Sequence, residues 1–291
     1  MSRKFFSGAH WFFEDTEKLG EPSSPAWGLW PQEEIYSGKS RYQEIEVFQT
    51  EGYGRVLALD GLVQLSTEHE LVYHEMITHP AVMYHNDPRK VLILGGGDGG
   101  ALREIAKHPV EEILLVEIDQ QVIEVSKKYL PSLSRGAFQD PRLRIISDDA
   151  ANLIKGYHNE FDLIIGDCTD AFEASEALWR APFYKLVMEA LGEDGIACFQ
   201  TGYFKEGFAR KGRRDIKKTF PYSLVYRAYI GCFPLDECTF MVASKTVDFE
   251  KLGYGEILAR YERSNIRTSY YSPEIHFASL VIPTCYEEKC Y

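Results

Sequence analysis

The stretch VLILGGGDGG, residues 91–100, decides how the rest of this chain is read. Four consecutive apolar residues predict a short strand buried on both faces. The glycines that follow, Gly95, Gly97 and Gly100, have the spacing of a nucleoside-binding turn between a strand and a helix, with the helix expected from Ala101 to about Lys107. Glu117 ends the next apolar run, ILLVE (113–117), at the place where an acid that grips ribose hydroxyls belongs. This spacing alone does not separate a dinucleotide from an S-adenosyl compound. Asp98 helps to separate them. A carboxylate in mid-turn repels a pyrophosphate, at about 4 kcal/mol for like charges ~4 Å apart at an effective dielectric of 20, and it welcomes a sulfonium or an ammonium. The plain structural alternative for Asp98 is a solvated helix cap.

Working toward the C-terminus, strand and helix patterns alternate. Asp119 is placed to cap the helix QQVIEVSKKYL; RLRII (142–146) and FDLIIGD (161–167) are further strands; APFYKLVMEAL is a helix; IACFQ, SLVYRAYI and TFMVAS are later strands. This alternation predicts a parallel sheet covered on both faces. Asp148 and Asp149 follow the third strand, at the carboxyl edge of the sheet where ligands lie. Asp149 is placed either to accept a hydrogen bond from an adenine amino group or to cap a helix over 150–155. Asp167 and Asp170 close the fourth strand three residues apart. Two carboxylates beyond an apolar strand are costly unless a cation sits between them, which points to an amine substrate.

Toward the N-terminus, residues 41–65 alternate as strands around a turn at 51–54 and predict a β-meander, whereas 68–84 shift to a helical period. Residues 20–31 are rich in Pro, Gly and Ser and predict a loop carrying Trp27 and Trp30. The expected organisation is a small β-domain with a substrate-contacting loop, 1–70, ahead of an α/β catalytic domain, 71–291. Of 291 residues, 45% are hydrophobic, which supplies a sizeable core, and the net charge of −12 runs against nucleic-acid binding. The six cysteines form no C-x-x-C pair and show no zinc spacing with His, so they read as reduced thiols, and no metal site is expected. With no run of membrane-span or signal-peptide length, the expectation is a soluble, cytoplasmic protein with neither membrane nor nucleic-acid partners.

The segments SRYQEIEVF (40–48), GRVLALDGLVQ (54–64), ELVYHEM (70–76), RKVLILGGGDGGALREIAKHP (89–109), VEID (116–119), DCTD (167–170), FMVAS (240–244) and YYSPEIHFASLVIP (270–283) make the chain resemble the spermidine synthases along nearly its whole length. His10-Trp11-Phe12-Phe13 and Leu29-Trp30-Pro31 are similar to the N-terminal region of animal and protozoan members. The resemblance implies a seven-stranded Rossmann-like, methyltransferase-type α/β fold behind a small β-domain, usually as a homodimer. It implies aminopropyl transfer from decarboxylated S-adenosylmethionine, a co-substrate rather than a cofactor, with methylthioadenosine as by-product. Carried over by position, Asp167 is the catalytic aspartate, Asp98 holds the donor's ammonium, Glu117 its ribose and Asp149 its adenine, with Ala150 where a glycine is usual. Gln43, Gln64 and His74 are donor-site positions, His74 being a glutamine in some members. Tyr73, Asp170, Gln200 and Trp30 are acceptor-pocket positions, and Phe233 stands where a pocket tyrosine is usual.

Two segments depart from the family pattern, both on the acceptor side. After Asp170 the chain reads Ala171-Phe172-Glu173-Ala174-Ser175, without the usual prolines and glycine, and Phe233 is followed by Pro234-Leu235-Asp236-Glu237. Glu173, Asp236 and Glu237 suit a longer cation than putrescine if they face the pocket, and are solvated loop acids if they do not. Putrescine is the first acceptor expected; spermidine or agmatine is the alternative, and methyl transfer from ordinary S-adenosylmethionine a further one that Asp98 opposes.

Overall fold

The computed structural model describes residues 3–6, 9–14, 27–85, 87–169 and 173–287. Strands β1 (Arg3–Phe6), β2 (Ala9–Phe13) and β3 (Gly28–Leu29) form a three-stranded antiparallel sheet. Next to it β4 (Pro31–Lys39), β5 (Glu44–Thr50), β6 (Gly54–Leu59) and β7 (Leu62–Ser66) form a four-stranded antiparallel meander. The expected loop over 20–31 is thus corrected at its end, since Gly28–Leu29 and Pro31 are in strands. Edge strand β4 was not legible because its nine residues bury almost nothing, whereas Ile45, Val47 and Phe48 of β5 are fully buried.

Helix α1 (Glu70–Tyr84) leads into the main layer: β8 (Lys90–Gly95), α2 (Gly100–Ala106), β9 (Glu112–Val116), α3 (Gln120–Tyr129), α4 (Pro131–Ser134), β10 (Leu143–Ile146), α5 (Ala150–Leu153), β11 (Phe161–Asp167), α6 (Ala181–Ala190), β12 (Leu191–Tyr203), α7 (Gly207–Thr219), β13 (Tyr222–Ala228) and β14 (Cys238–Ser244). Three further helices, α8 (Tyr254–Ser264), α9 (Pro273–Ser279) and α10 (Thr284–Glu287), follow among the described residues. The seven strands lie in the order β10-β9-β8-β11-β12-β14-β13. Pairing is parallel from β10 through β12, but β14 runs against both its neighbours, so the sheet is mixed rather than all parallel. The short connection from β13 to β14 leaves no room for the crossover that a parallel pair requires.

The central strand explains the layer. Val91, Leu92, Ile93 and Leu94 are fully buried, alternately facing the two helical layers, and each contributes about 1.5–3 kcal/mol on burial. One hydrophobic cluster takes in Phe12, Phe48 and Val56 of the N-terminal sheets together with Ile77, Val91 and Ile93, so both parts share a core. Strand order reverses at β8: the chain runs outward through β9 and β10 on one flank, then returns to place β11 on the other. A ligand crevice is expected outside the carboxyl ends of β8 and β11.

Candidate active site

At that crevice Gly95, the last residue of β8, pairs with Asp167, the last of β11. Gly95 has φ +79°, and a Cβ there would lie 2.2 Å from the Asp167 carbonyl oxygen. The Gly96 amide donates to that same oxygen at 2.9 Å. A Cβ on Gly97 would meet the Glu117 carboxylate at 2.9 Å. These two glycines are therefore required by the closeness of β8 to β11 and β9.

Asp98 accepts from the Gly100 amide at 2.7 Å, which is the capping geometry, and its Oδ1 also lies 3.2 Å from His74 Nε2. The cap and the charge site are the same side chain. His74 Nδ1 meets Glu70 at 2.7 Å, so the ring is clamped between two carboxylates. Burial alone lowers its pKa, but Asp98 and Glu70 outweigh burial and raise it to about 10, leaving an imidazolium. Behind it the charges alternate. Glu70 receives both Arg103 Nη atoms at 2.9 Å, Arg103 Nε donates to Glu104 at 2.6 Å, and Glu104 also meets His79 at 2.8 Å and Lys107. Burial opposes the ionised form of Glu104, yet its partners hold its pKa far below the usual carboxylate range.

Asp167 faces this clamp. The Tyr73 hydroxyl donates to its Oδ1 at 2.7 Å, while its Oδ2 is buried and has no hydrogen-bond partner among the described residues. Burial, then the charge of Asp98, pushes the Asp167 carboxyl up to about 6. His74, Asp98 and Asp167 each bring one ring nitrogen or carboxylate oxygen within 4.8 Å of the others. Both nitrogens of His74 are already committed to carboxylates, so the group is arranged for an organic cation rather than for a metal needing a ring lone pair.

A single cavity runs over these groups and on toward Gln200 and Phe233. Residues 70–251 match the family model described as the spermine/spermidine synthase domain, and residues 32–67 match the spermidine synthase tetramerisation domain. The chain belongs to the spermine/spermidine synthase family. Polyamine aminopropyltransferases from Clostridium tetani and Thermoanaerobacter sp. are 40% and 39% identical to it, covering 87% and 94% of this chain and 89% and 95% of theirs. A spermidine synthase solved with the transition-state analogue AdoDATO superposes with a TM-score of 0.89 at 35% identity, covering 96% of this chain and 94% of that one. The spermidine synthase of Thermotoga maritima gives 0.88 at 34%, covering 100% and 96%. The Rossmann-like fold behind a small β-domain, and the aminopropyltransferase class, are those the sequence led us to expect.

On this aminopropyltransferase the cavity is lined by Gln43, Gln64, Tyr73, His74, Gly95, Gly97, Asp98, Glu117, Asp149, Ala150, Asp167, Gln200 and Phe233 among others. Glu117 accepts from the Asp119 amide at 2.9 Å, and burial raises it to about 7. Asp149 Oδ1 accepts from the Ala151 amide at 2.8 Å, so it caps α5 while lining the cavity; the two readings of Asp149 are compatible. The Gln43 amide donates to Asp119 at 2.9 Å, Gln64 donates to the Leu62 carbonyl at 3.2 Å, and Gln200 donates to the Cys168 carbonyl at 2.8 Å. Phe233 meets Tyr73 edge-on, with ring centres 6.4 Å apart.

Trp30 is corrected: it is 58% exposed, stacks on Trp11 at 6.4 Å and does not line the cavity. It stands at the junction of β3 and β4 and turns outward there. Asp170 lies outside the described residues, as does the side chain of Glu173. Asp236 and Glu237 do not line the cavity either. Asp236 accepts from the Tyr286 hydroxyl at 2.8 Å with Lys205 at 3.7 Å, and Glu237 pairs with Arg227. Of the two readings left open for these acids, local pairing away from the cavity is the one the structure favours. Sequence reasoning missed Glu14 and Glu206, which do line it. Glu14 accepts from the Val63 amide at 3.0 Å and from the Trp27 indole, which gives Trp27 its purpose. Its signal was its place directly after the HWFF segment.

Proposed function

We propose that this chain is a spermidine synthase, moving the aminopropyl group of decarboxylated S-adenosylmethionine to putrescine to give spermidine and methylthioadenosine. The observation that carries the reading is Asp167, with one carboxylate oxygen held by Tyr73 and the other buried and open beside Asp98. An amine N–H donating to that oxygen has its lone pair directed across the short space to the aminopropyl carbon. The new N–C bond forms as the C–S bond breaks; the electron pair goes to sulfur, and the positive charge passes to nitrogen, which sheds a proton. Asp167, raised to about 6, is a stronger base than an ordinary aspartate near 3.9 but remains far weaker than an alkylamine. Its work is to position the amine and to offset the growing charge, with proton acceptance coupled to attack.

In this reading Asp98 holds the donor's ammonium, Glu117 its ribose and Asp149 its adenine, with Gln43, Gln64, His74, Gly95, Gly97 and Ala150 completing the donor wall. Tyr73, Gln200 and Phe233 shape the acceptor side, and Asp170 joins them by family position. The donor is a co-substrate, and the chemistry asks for no further cofactor. The family description of residues 32–67 supports self-association through the β4–β7 sheet, with a homodimer as the smallest form. Five cysteines among the described residues form no disulfide, which supports the cytoplasm as its place. No helix among the described residues is long and apolar enough to cross a membrane. The test is to supply purified protein with the decarboxylated donor and, separately, putrescine, agmatine and spermidine, and to separate the products by chromatography. Spermidine as the dominant product is expected; preference for another amine, or methylated putrescine from the ordinary donor, overturns the reading.

A further inference from the structure

We propose that Glu206 is the acceptor-specificity residue of this site, taking the far ammonium of a diamine whose near nitrogen sits at Asp167; this rests on the aminopropyl-transfer reading above. Glu206 is a buried carboxylate on the cavity wall, 8% exposed, and no part of the chemistry at Asp98 and Asp167 uses it. It stands directly before α7, yet its side chain turns back along the chain. Its Oε2 accepts from the Tyr203 amide at 2.9 Å, and a Cβ on Gly202 would lie 2.7 Å from the same oxygen. The carboxylate is therefore fixed at the level of Gly202 and Tyr203, where β12 pairs with β14 again after the irregularity.

Strand register converts that level into a span. Gly166 pairs with Phe199, so Asp167 stands beside Gln200, and the chain continues to Tyr203 through an irregularity after Gln200. Gly202 has φ +61° and this stretch is not regular strand, so the rise of two to three residues sets an upper bound of roughly 7–10 Å on how far the Glu206 carboxylate lies beyond the level of Asp167. A four-carbon diamine has five single bonds of about 1.5 Å and so spans about 6 Å when extended. Adding a charge-assisted hydrogen bond of about 2.8 Å at one or both ends brings the two carboxylates into its reach. The same cavity wall carries Phe233, Leu235 and Phe240, which offer apolar surface to the carbon chain of a diamine. An anionic end, a hydrocarbon middle and a second anionic end match the chemistry of an α,ω-diammonium chain, and only its far end distinguishes it from a monoamine.

The experiment compares kcat/KM for putrescine and for n-butylamine on the wild type, Glu206→Gln and Glu206→Asp, with thermal melting of each variant as the folding control. Glutamine keeps an oxygen for the Tyr203 amide, so the backbone turn survives. The expected result is that the putrescine-to-butylamine ratio falls at least tenfold in Glu206→Gln, with the change carried by the putrescine KM. Glu206→Asp withdraws the carboxylate by one methylene and shifts preference toward the five-carbon diamine. A ratio that stays within threefold of wild type in Glu206→Gln, in protein that melts normally, overturns the proposal. If Glu206→Gln does not fold, the five-carbon preference of Glu206→Asp decides in its place, and an unmoved preference overturns it. A wild type that transfers to neither amine instead overturns the reading of the reaction.

Discussion

The halves of this cavity proposed for the donor and for the acceptor are built differently. On the donor half, Asp98, Glu117 and Asp149 stand just past the ends of three adjacent parallel strands, and each accepts a backbone N–H within two residues of itself, at 2.7, 2.9 and 2.8 Å. The sheet positions these carboxylates, and short local bonds lock their rotamers. On the acceptor half, the lining comes from segments after β11 and β12 and from the turn before β14, where ladder pairing has ended or is irregular. A site on strand ends can hold a constant ligand, while a site on loops can change its ligand without disturbing the fold. Both departures from the family pattern fall on the loop-built half.

The strongest way to break this division is Asp167→Asn, because Asp167 stands where the two halves meet. Turnover should fall at least a hundredfold, about 2.7 kcal/mol of lost transition-state stabilisation, with donor affinity by calorimetry nearly unchanged. Donor affinity falling as far as turnover would place Asp167 on the donor half alone. Next, Asp98→Ala should weaken binding of the decarboxylated donor tenfold or more beyond its effect on methylthioadenosine, which lacks the ammonium. Equal losses would reduce Asp98 to its capping bond with Gly100.

A smaller effect follows from protonation. Asp167 has to be ionised and the acceptor amine neutral, so kcat/KM for putrescine should rise from about pH 6 toward 9. A flat profile would make product release limiting. Stability should move the opposite way. His74 titrates near 6.5 in an unfolded chain and about 10 when folded, so its contribution is complete below 6.5 and drains away as pH rises through 10. Melting temperature should therefore decline between pH 6.5 and 9, and His74→Gln should flatten that decline. An unchanged slope in the variant would deny the imidazolium. The smallest expected effect is at Asp236→Ala, which should alter no acceptor ratio by as much as threefold, since Asp236 is engaged with Tyr286 and Lys205.

Most of the donor half was legible in the sequence. Strand ends, capping acids and the glycine turn are local patterns, and a switch of strand order turns local patterns into one crevice. The acceptor half was legible only where regular structure carries it, at Tyr73 on α1, Asp167 on β11 and Gln200 on β12. Glu206 was invisible because KEGFARK reads as a solvated charged helix start, and only the backward turn of one side chain brings it inside. Asp236 and Glu237 stayed open between pocket and loop for the converse reason, since their cations, Lys205 and Arg227, lie 31 and 10 residues away in the chain. Trp30 failed because adjacency to a substrate-contacting loop does not say which face of a strand junction a ring will take.

The alternating ladder behind His74 has a consequence for how this protein can be altered. Positions 70, 74, 98, 103 and 104 form one string of alternating charge, three acids and two bases, shared by α1, α2 and the glycine turn. Removing one member strands a buried charge on its neighbour, at about 3–5 kcal/mol, a large share of a domain's total stability. Single-site scans will therefore score each of these positions as nearly immutable. Paired exchanges that remove one acid with one base, Glu70→Gln with Arg103→Met for example, should be accepted far more readily than either scan suggests. Any library that varies this enzyme should treat the string as one letter rather than five.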